Sequence, residues 1–209
     1  NNIKLYFKYY LMILYLIFNI FIVFGLNKYY EIELTCRIAS LVNALISTCG
    51  SILFLSNLIS YNSFNEIVKC NIIYITTDIY IYLAKLINTK DIKEMMVHHI
   101  CFLIGAFISY KNPVFYAYGI MSECSTIFLN IRWFAINGYY FKNIDLYTHL
   151  LWVTFLGFRI INITNLAFLI YNSVHYYYTI LVLPFITLNY IWFYYLTLRA
   201  FISINKIIK

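Results

Sequence analysis

Charged residues are scarce in this sequence: they make up 11% of its 209 residues, whereas a typical soluble domain has about 25%. Hydrophobic residues make up 63%, against about 45–50% in such a domain. The sequence also lacks glycine- and serine-rich linkers, internal repeats and low-complexity tails. These features exclude an ordinary water-soluble fold, unless most of its surface meets lipid, and they indicate one compact domain.

Patterns for metals, cofactors and nucleic acid are missing as well. The five cysteines are scattered and none forms a C-x-x-C pair, so we expect neither a disulfide framework nor a metal site. There is no glycine-rich phosphate loop and no serine-hydrolase elbow, and we predict no cofactor. The net charge is +7, but the lysines are spread through short loops and form no dense basic stripe, so nucleic acid is not a predicted partner.

Seven long apolar runs follow one another along the chain. A bilayer core about 30 Å thick is crossed by about 20 mostly apolar residues in a helix, the conformation that satisfies the backbone in hydrocarbon. We therefore predict an all-α integral membrane fold, a bundle of six to seven transmembrane helices. The predicted spans are Leu5–Leu26, Arg37–Ser60, Ile67–Ile87, Met95–Tyr110, Val114–Ile136, Leu146–Tyr171 and Tyr176–Ile202.

The basic residues favour one orientation in the membrane. Those on the far side of the first span and at the C-terminus outnumber those on the other side, and such an excess marks the cytoplasmic side. We predict a cytosolic C-terminus. The sequence begins with Asn1 and not with methionine, so we expect the natural N-terminus to lie upstream and interpret the first run as a retained helix. The larger set is Lys28, Arg37, Lys90, Lys93, Lys142, Arg199, Lys206 and Lys209, and the smaller is Lys4, Lys8, Lys69 and Lys111.

Ionisable residues inside the predicted spans are the main functional signal. Each costs roughly 2.5–3.5 kcal/mol at the centre of a membrane helix, so we expect these side chains to face the interior of the bundle. Helical spacing agrees, because they share faces with other polar residues. The ionisable residues are Asp78, His98, His99, Glu123, Arg132 and Arg159. The shared faces are Asp78 with Tyr82 and Lys85, Glu123 with Thr126 and Asn130, Arg159 with Asn162 and Leu166, and Asn43 with Ser47 and Gly50.

The predicted geometry is a polar cavity that opens to the cytosol. Alternating helix directions place Asp78, Glu123 and Arg159 near the midplane of the membrane. They place the two histidines, Asn130 and Arg132 nearer to the cytosol.

A purely structural role stays open for these residues. A buried ion pair, either Asp78–Arg159 or Glu123–Arg159, would fix the register of the helices. Four other polar residues are better explained by hydrogen bonds between helices than by a ligand site: Asn43, Ser47, Asn162 and Asn189.

The adjacent histidines His98 and His99 are the most chemically suggestive feature. Neighbouring helical residues project about 100° apart, so one imidazole can face the cavity while the other contacts a neighbouring helix. A neutral imidazole acts as base, proton shuttle, nucleophile or metal ligand. The other histidines are His149 and His175, which excludes the membrane di-iron enzymes because these require several histidine clusters.

The sequence around this pair resembles a known family. Two neighbouring segments resemble the TLC-domain family: MMVHHICFLIGAFISYKN and, after it, MSECSTIFLNIRWF. Within the family, they resemble the small TLC-domain proteins more than the ceramide synthases. TTDIYIYL, VTFLGFRI and LNYIWFYYLTLRA resemble the family's Asp-bearing, Arg-bearing and last helices. The agreement begins at Arg37. It divides the chain into residues 1–36, a first transmembrane helix and loop, and residues 37–209, a TLC-like domain.

The resemblance implies a helical bundle around a lipid-accessible cavity, membrane lipids as partners and the endoplasmic reticulum as location; a homodimer is a possible assembly. Ceramide synthases transfer an acyl group from acyl-CoA to a sphingoid amine, using a histidine pair and acidic residues on the following helix. His98, His99 and Glu123 match those positions. Thr126 stands in place of the second acidic residue, and Asn43 stands where small family members carry a histidine.

Two functions stay open, and we favour the first. In the first, the cavity binds a lipid and the protein influences membrane lipid composition. In the second, the protein is an acyl-CoA-dependent lipid acyltransferase in which His98 or His99 acts as base or is itself acylated, and Glu123 or Asp78 orients the imidazole. Arg132 would then meet the phosphates of acyl-CoA. The candidate lipid contacts are Asn43, Ser125, Thr126, Asn130, Arg132 and Arg159.

Overall fold

The structure is a computed structural model that describes residues 32–83, 92–108, 112–139, 143–173 and 176–207. These residues form helices joined by short turns, with no strand among them, so the predicted all-α class is confirmed. A π-helical segment, Leu156–Ile161, joins α6 to α7. The helices are α1 (Ile32–Leu55), α2 (Tyr61–Leu83), α3 (Ile92–Ile108), α4 (Pro113–Met121), α5 (Cys124–Ile136), α6 (Ile144–Phe155), α7 (Asn162–Ser173) and α8 (Tyr176–Ile207).

Six helical rods make up the described residues, and each corresponds to one predicted span from the second to the seventh. Two of the rods are pairs of helices: α4 with α5, and α6 with α7. The first predicted span, Leu5–Leu26, lies outside the described residues. By length and composition, the rods Ile32–Leu55 and Ile144–Ser173 can cross a membrane. The number of crossings and their orientation stay predictions.

The turn between α1 and α2 lies earlier in the chain than predicted. Helix α1 ends at Leu55 and not at Ser60 because Asn57 adopts a left-handed conformation, with φ of 57°. The Leu58 amide then donates to the Leu53 carbonyl, which is one of the bonds of a Schellman C-cap. The Ser60 hydroxyl accepts from the Ser63 amide at 3.3 Å and so caps the start of α2.

Polar and apolar side chains are arranged as hydrocarbon surroundings require. Large apolar side chains lie on the outside, among them Phe107, Phe168 and Phe201, with Phe107 86% exposed. Ionisable side chains such as Asp78 and Arg159 are buried. In a water-soluble protein this arrangement is costly, whereas in a bilayer it places apolar surface against lipid and polar groups against one another.

Helix packing places the polar residues between two groups of helices. Helix α1 packs against α2, α4 and α5, and α8 packs against α3, α6 and α7. Small residues allow the close approach of α1 to α2, since a Cβ atom added at Gly50 would clash with the Ile67 side chain. The polar cluster around the two histidines is drawn from α2, α3, the turn between α4 and α5, α5 and the π-helical segment.

Candidate functional site

The two histidines lie on α3, about two turns after it begins at Ile92. Both are buried, and their ring centroids lie 5.5 Å apart. As expected for adjacent helical residues, they face different neighbours. His99 faces α2, whereas His98 faces α8 and the junction between α4 and α5.

His99 forms a close pair with a carboxylate. Its Nε2 atom lies 2.6 Å from Asp78 Oδ2, and an ionised carboxylate only accepts, so the imidazole donates. The rings of Tyr74 and Tyr82 contact the imidazole at centroid distances of 6.5 and 6.2 Å. Four residues separate Tyr74 from Asp78 and Asp78 from Tyr82 on α2. All three therefore lie on one face of the helix, next to the imidazole ring. The predicted face partner Lys85 lies outside the described residues.

His98 has a different, mostly aromatic environment. Its ring lies 5.0 Å from Phe102, 5.3 Å from Phe185 and 5.5 Å from Trp192, measured between centroids. Its Nε2 atom is 3.8 Å from Glu123 Oε1, which is longer than a hydrogen bond. Among the described residues, its buried Nδ1 atom has no hydrogen-bond partner. His98 is therefore the imidazole with capacity left for a ligand, and His99 is the one fixed by the protein.

Arg159 connects the π-helical segment to α5 and α8. Its Nε atom donates to Ser125 Oγ at 2.7 Å and its Nη2 atom to Thr126 Oγ1 at 2.7 Å. Its Nη1 atom donates to Asn189 Oδ1 at 3.4 Å. Its Nη2 atom is also 3.8 Å from Glu123 Oε1. Of the two ion pairs left open by the sequence, the structure therefore contains Glu123–Arg159, while Asp78 is paired with His99.

Two departures from regular α-helix meet at this site. Between α4 and α5, the amides of Ser122 and Glu123 bond to carbonyls three residues back, at 3.1 and 3.0 Å, so the chain tightens there. Across from this turn, Arg159 lies in the π-helical segment, which holds an extra residue in one turn. Within the described part of the chain, Ser122 Oγ is buried without a hydrogen-bond partner.

The structure brings most, but not all, of the predicted site residues together. Asn130 lies two turns along α5 from Glu123, where it donates to Ser40 Oγ at 3.0 Å. Arg132 lies near the end of α5 and donates to Thr148 Oγ1 at 2.8 Å. The histidines and the two carboxylates, which were predicted at different depths, lie against one another in the structure. The cluster contains Asp78, His98, His99, Glu123, Ser125, Thr126 and Arg159.

Asn43 belongs to a second polar network, made with Ser47, Asn71 and Tyr116. Asn71 Nδ2 donates to Ser47 Oγ at 3.1 Å and lies 3.4 Å from Asn43 Oδ1. The Tyr116 hydroxyl donates to Asn71 Oδ1 at 2.8 Å. These bonds connect α1, α2 and α4, which agrees with the interhelical role favoured for Asn43 and Ser47.

We expect Asn71→Leu to lower the free energy of unfolding by about 1–3 kcal/mol, because it leaves the buried Tyr116 hydroxyl without its acceptor and Ser47 without its donor. The measurement is unfolding by detergent titration in mixed micelles. Asn165→Leu is the matched control, since that asparagine is exposed on α7. Equal effects of the two substitutions would contradict an energetic role for this network.

An apolar cleft lies beside the histidine cluster, between α3, α4, α7 and α8. Its empty volume is about 560 Å³, including space open to the surface. Its walls include Gly105, Gly119 and Leu166, and next to His98 they include Phe102 and Phe185. This cleft is apolar, so it is not the polar cavity that the sequence predicted; among the described residues, the polar side chains of the histidine cluster bond to one another.

Sequence reasoning missed the rings around His98 and the partner Asn71. Phe102 follows His98 by four residues and Gly105 follows it by seven, which places all three on one face of α3. Asn71 precedes Asp78 by seven residues on α2. These spacings can be read from the sequence. Apolar and aromatic residues are so common in it, however, that the spacings alone do not indicate a site. Within the described ranges no group of three metal-ligating side chains comes together, and the absence of a metal stays a prediction.

Comparison with known proteins agrees with the motifs. The profile of the TLC domain matches residues 33–205, a range that contains the histidine cluster, the second polar network and the cleft. No curated protein and no solved structure gave a match. Because the matched range covers most of the sequence, the chain belongs to the TLC-domain family, a family of membrane proteins involved in lipid biology.

Proposed function

We propose that this protein is a multi-pass membrane protein that binds an alkyl chain of a membrane lipid in the apolar cleft, and that it influences membrane lipid composition by this binding. The observation that carries the proposal is the cleft itself, whose walls are apolar and include the two rings beside His98. Its apolar walls support a lipid chain over a polar metabolite. The endoplasmic reticulum and a cytosolic C-terminus are part of the proposal, and the bias of basic residues supports the latter.

Shape decides what such a cleft binds. Lipid tails are as apolar as the side chains of the cleft, so moving a chain from the bilayer into it gains little from the hydrophobic effect. Selectivity comes instead from packing, since unfilled volume loses dispersion contacts and overfilled volume strains the walls. The two glycines matter here. A Cβ atom at Gly105 would meet no atom within 4 Å, and one at Gly119 would meet only Leu166 at 3.9 Å.

Gly105→Leu tests the proposal. The new side chain projects into open space in the cleft, so we expect bound lipid to decrease by about 5- to 150-fold, which corresponds to an overpacking cost of roughly 1–3 kcal/mol. Leucine also favours helix over glycine, so α3 should be retained. The measurement is native mass spectrometry of purified protein mixed with saturated monoacyl phosphatidylcholines.

Val97→Leu is the control, because Val97 lies on the same helix and faces outward. It should bind as the wild type does. Saturable binding that is the same in Gly105→Leu, Val97→Leu and wild type would show that the cleft is not the binding site.

Acyl transfer is the second candidate, and a specific observation favours it. The 2.6 Å contact between His99 and Asp78 is an imidazole oriented by a carboxylate, and the neighbouring His98 has an unused nitrogen. In this function an imidazole removes a proton from the acceptor hydroxyl or amine, which attacks the thioester carbonyl, and the C–S bond breaks to release the CoA thiol. Incubation with acyl-CoA and a lipid acceptor should then release free thiol and form an acylated lipid in equal amounts.

A further inference from the structure

The aromatic pair Phe102 and Phe185 lies between the cleft and His98. Both rings line the cleft, and both contact the imidazole, at 5.0 and 5.3 Å between centroids. They contact each other edge to face at 5.3 Å, with an interplanar angle of 88°. Both are 7% exposed, so little open space surrounds them. The two rings therefore lie between the cleft, which they line, and the imidazole of His98.

The helix positions of these rings connect the cleft with His98. On α3, His98, Phe102 and Gly105 share a face over two turns, so the imidazole lies at one end and the open cleft at the other. On α8, Phe185 is one turn before Asn189, which accepts a hydrogen bond from Arg159. Pro184 precedes Phe185 inside α8 and cannot donate to the Ile180 carbonyl, so the turn before Phe185 lacks one backbone hydrogen bond.

We propose that the Phe102–Phe185 pair is a partition between the alkyl-chain site and His98, and that it sets the longest chain that the cleft accepts. This inference rests on the proposed lipid binding. A ring pair that closes a cleft limits the length of its occupant, whichever end of the lipid enters first. Removing one ring opens a cavity lined by apolar groups, and such cavities accept additional apolar atoms. The opened cavity reaches the imidazole, since His98 contacts both rings.

Competition among chain lengths tests the first part of the inference. Wild-type protein and variants are mixed in detergent with equal amounts of saturated monoacyl phosphatidylcholines that differ by two carbons, and the bound species are counted by native mass spectrometry. We expect wild-type binding to fall off beyond one chain length. In Phe102→Ala and Phe185→Ala this limit should move by at least one two-carbon step to longer chains. Phe107→Ala removes the same ring from an outward position on α3 and should leave the limit unchanged.

Accessibility of the imidazole tests the second part. Diethyl pyrocarbonate is a small neutral reagent that modifies neutral imidazoles, and peptide mass spectrometry locates the product. We expect His98 to react at least about tenfold faster in Phe102→Ala than in wild type, because the partition is removed. His149 lies outside the cluster, where its ring bonds to the Asp145 carbonyl, and its rate serves as the internal reference. Phe102→Leu and Phe185→Leu retain an apolar side chain and give the same test, with smaller shifts, if an alanine variant does not fold.

The outcomes separate this inference from the function on which it rests. A wild type that binds no monoacyl lipid, and a Gly105→Leu variant identical to it, would overturn both. Saturable binding with an unchanged length limit in the Phe102 and Phe185 variants would overturn the partition alone. If the chain-length limit moves but His98 stays unreactive, the partition is also overturned, because the opened space would then not reach the imidazole.

Discussion

Arg159→Met is expected to be among the most destabilising single substitutions in this protein, lowering the free energy of unfolding by about 3–5 kcal/mol. The substitution removes the bonds to Ser125, Thr126 and Asn189 and the positive charge beside Glu123. A carboxylate left buried without that charge is costly in a low-dielectric interior. The measurement is the free energy of unfolding from detergent titration in mixed micelles.

A double-mutant cycle separates this charge effect from lost packing. Glu123→Met should also destabilise, but the double variant Arg159→Met with Glu123→Met should cost less than the sum, with a coupling of about 1–3 kcal/mol. Arg132→Met is the matched control, since Arg132 is only partly buried and donates to Thr148, outside the Glu123–Arg159 pair. We expect its effect to be about 1 kcal/mol. If the free-energy costs of the two single substitutions simply add in the double variant, a stabilising ion pair between Arg159 and Glu123 is contradicted.

Asp78→Asn is expected to lower any acyl transfer by about 10²- to 10⁴-fold while leaving lipid binding in the cleft unchanged. The amide is nearly the same size as the carboxylate, so His99 keeps a neighbour, but it loses the negative charge that orients the imidazole and stabilises its protonated form. Asp78 is not part of the cleft wall. The measurements are thiol release from acyl-CoA and, separately, native mass spectrometry of bound monoacyl phosphatidylcholine.

This substitution distinguishes the two candidate functions because they depend on different parts of the molecule. Asp145→Asn, at the exposed start of α6, is the control for a general loss of one negative charge. A loss of lipid binding in Asp78→Asn, with the protein still folded, would contradict the separation of cleft and histidine cluster. Acyl transfer that survives in this variant would remove Asp78 from the catalytic scheme.

Sequence reasoning predicted that the ionisable side chains of the spans face the interior, and the structure buries all of them except Arg132, which is only partly buried. Asp78, Glu123, Thr126 and Arg159 are all buried, because the cost of a polar group in hydrocarbon leaves few other places for it. Position along one helix fixes the face on which a residue lies. It does not fix the rotation of one helix against another, so the choice between Asp78–Arg159 and Glu123–Arg159 required the structure.

The local irregularities were also beyond the sequence. The turn at Ser122 and Glu123 has neither proline nor glycine at those positions, and the π-helical segment contains ordinary apolar residues around Gly157 and Arg159. Both depend on tertiary bonds, since the Arg159 guanidinium reaches the first turn of α5. The apolar cleft was missed for a similar reason, because empty volume depends on how several helices pack together.

The π-helical segment lets the rod Ile144–Ser173 hold one residue more than a continuous α-helix of the same length. Because one wide turn absorbs the extra residue, α6 and α7 keep nearly the phase of an uninterrupted α-helix. Thr148, which accepts from Arg132, and Asn162, which donates to the Tyr118 carbonyl, therefore both meet their partners from the two ends of one rod. The segment thus acts as a local insertion: it widens one turn around Arg159 and leaves the helices on either side in register.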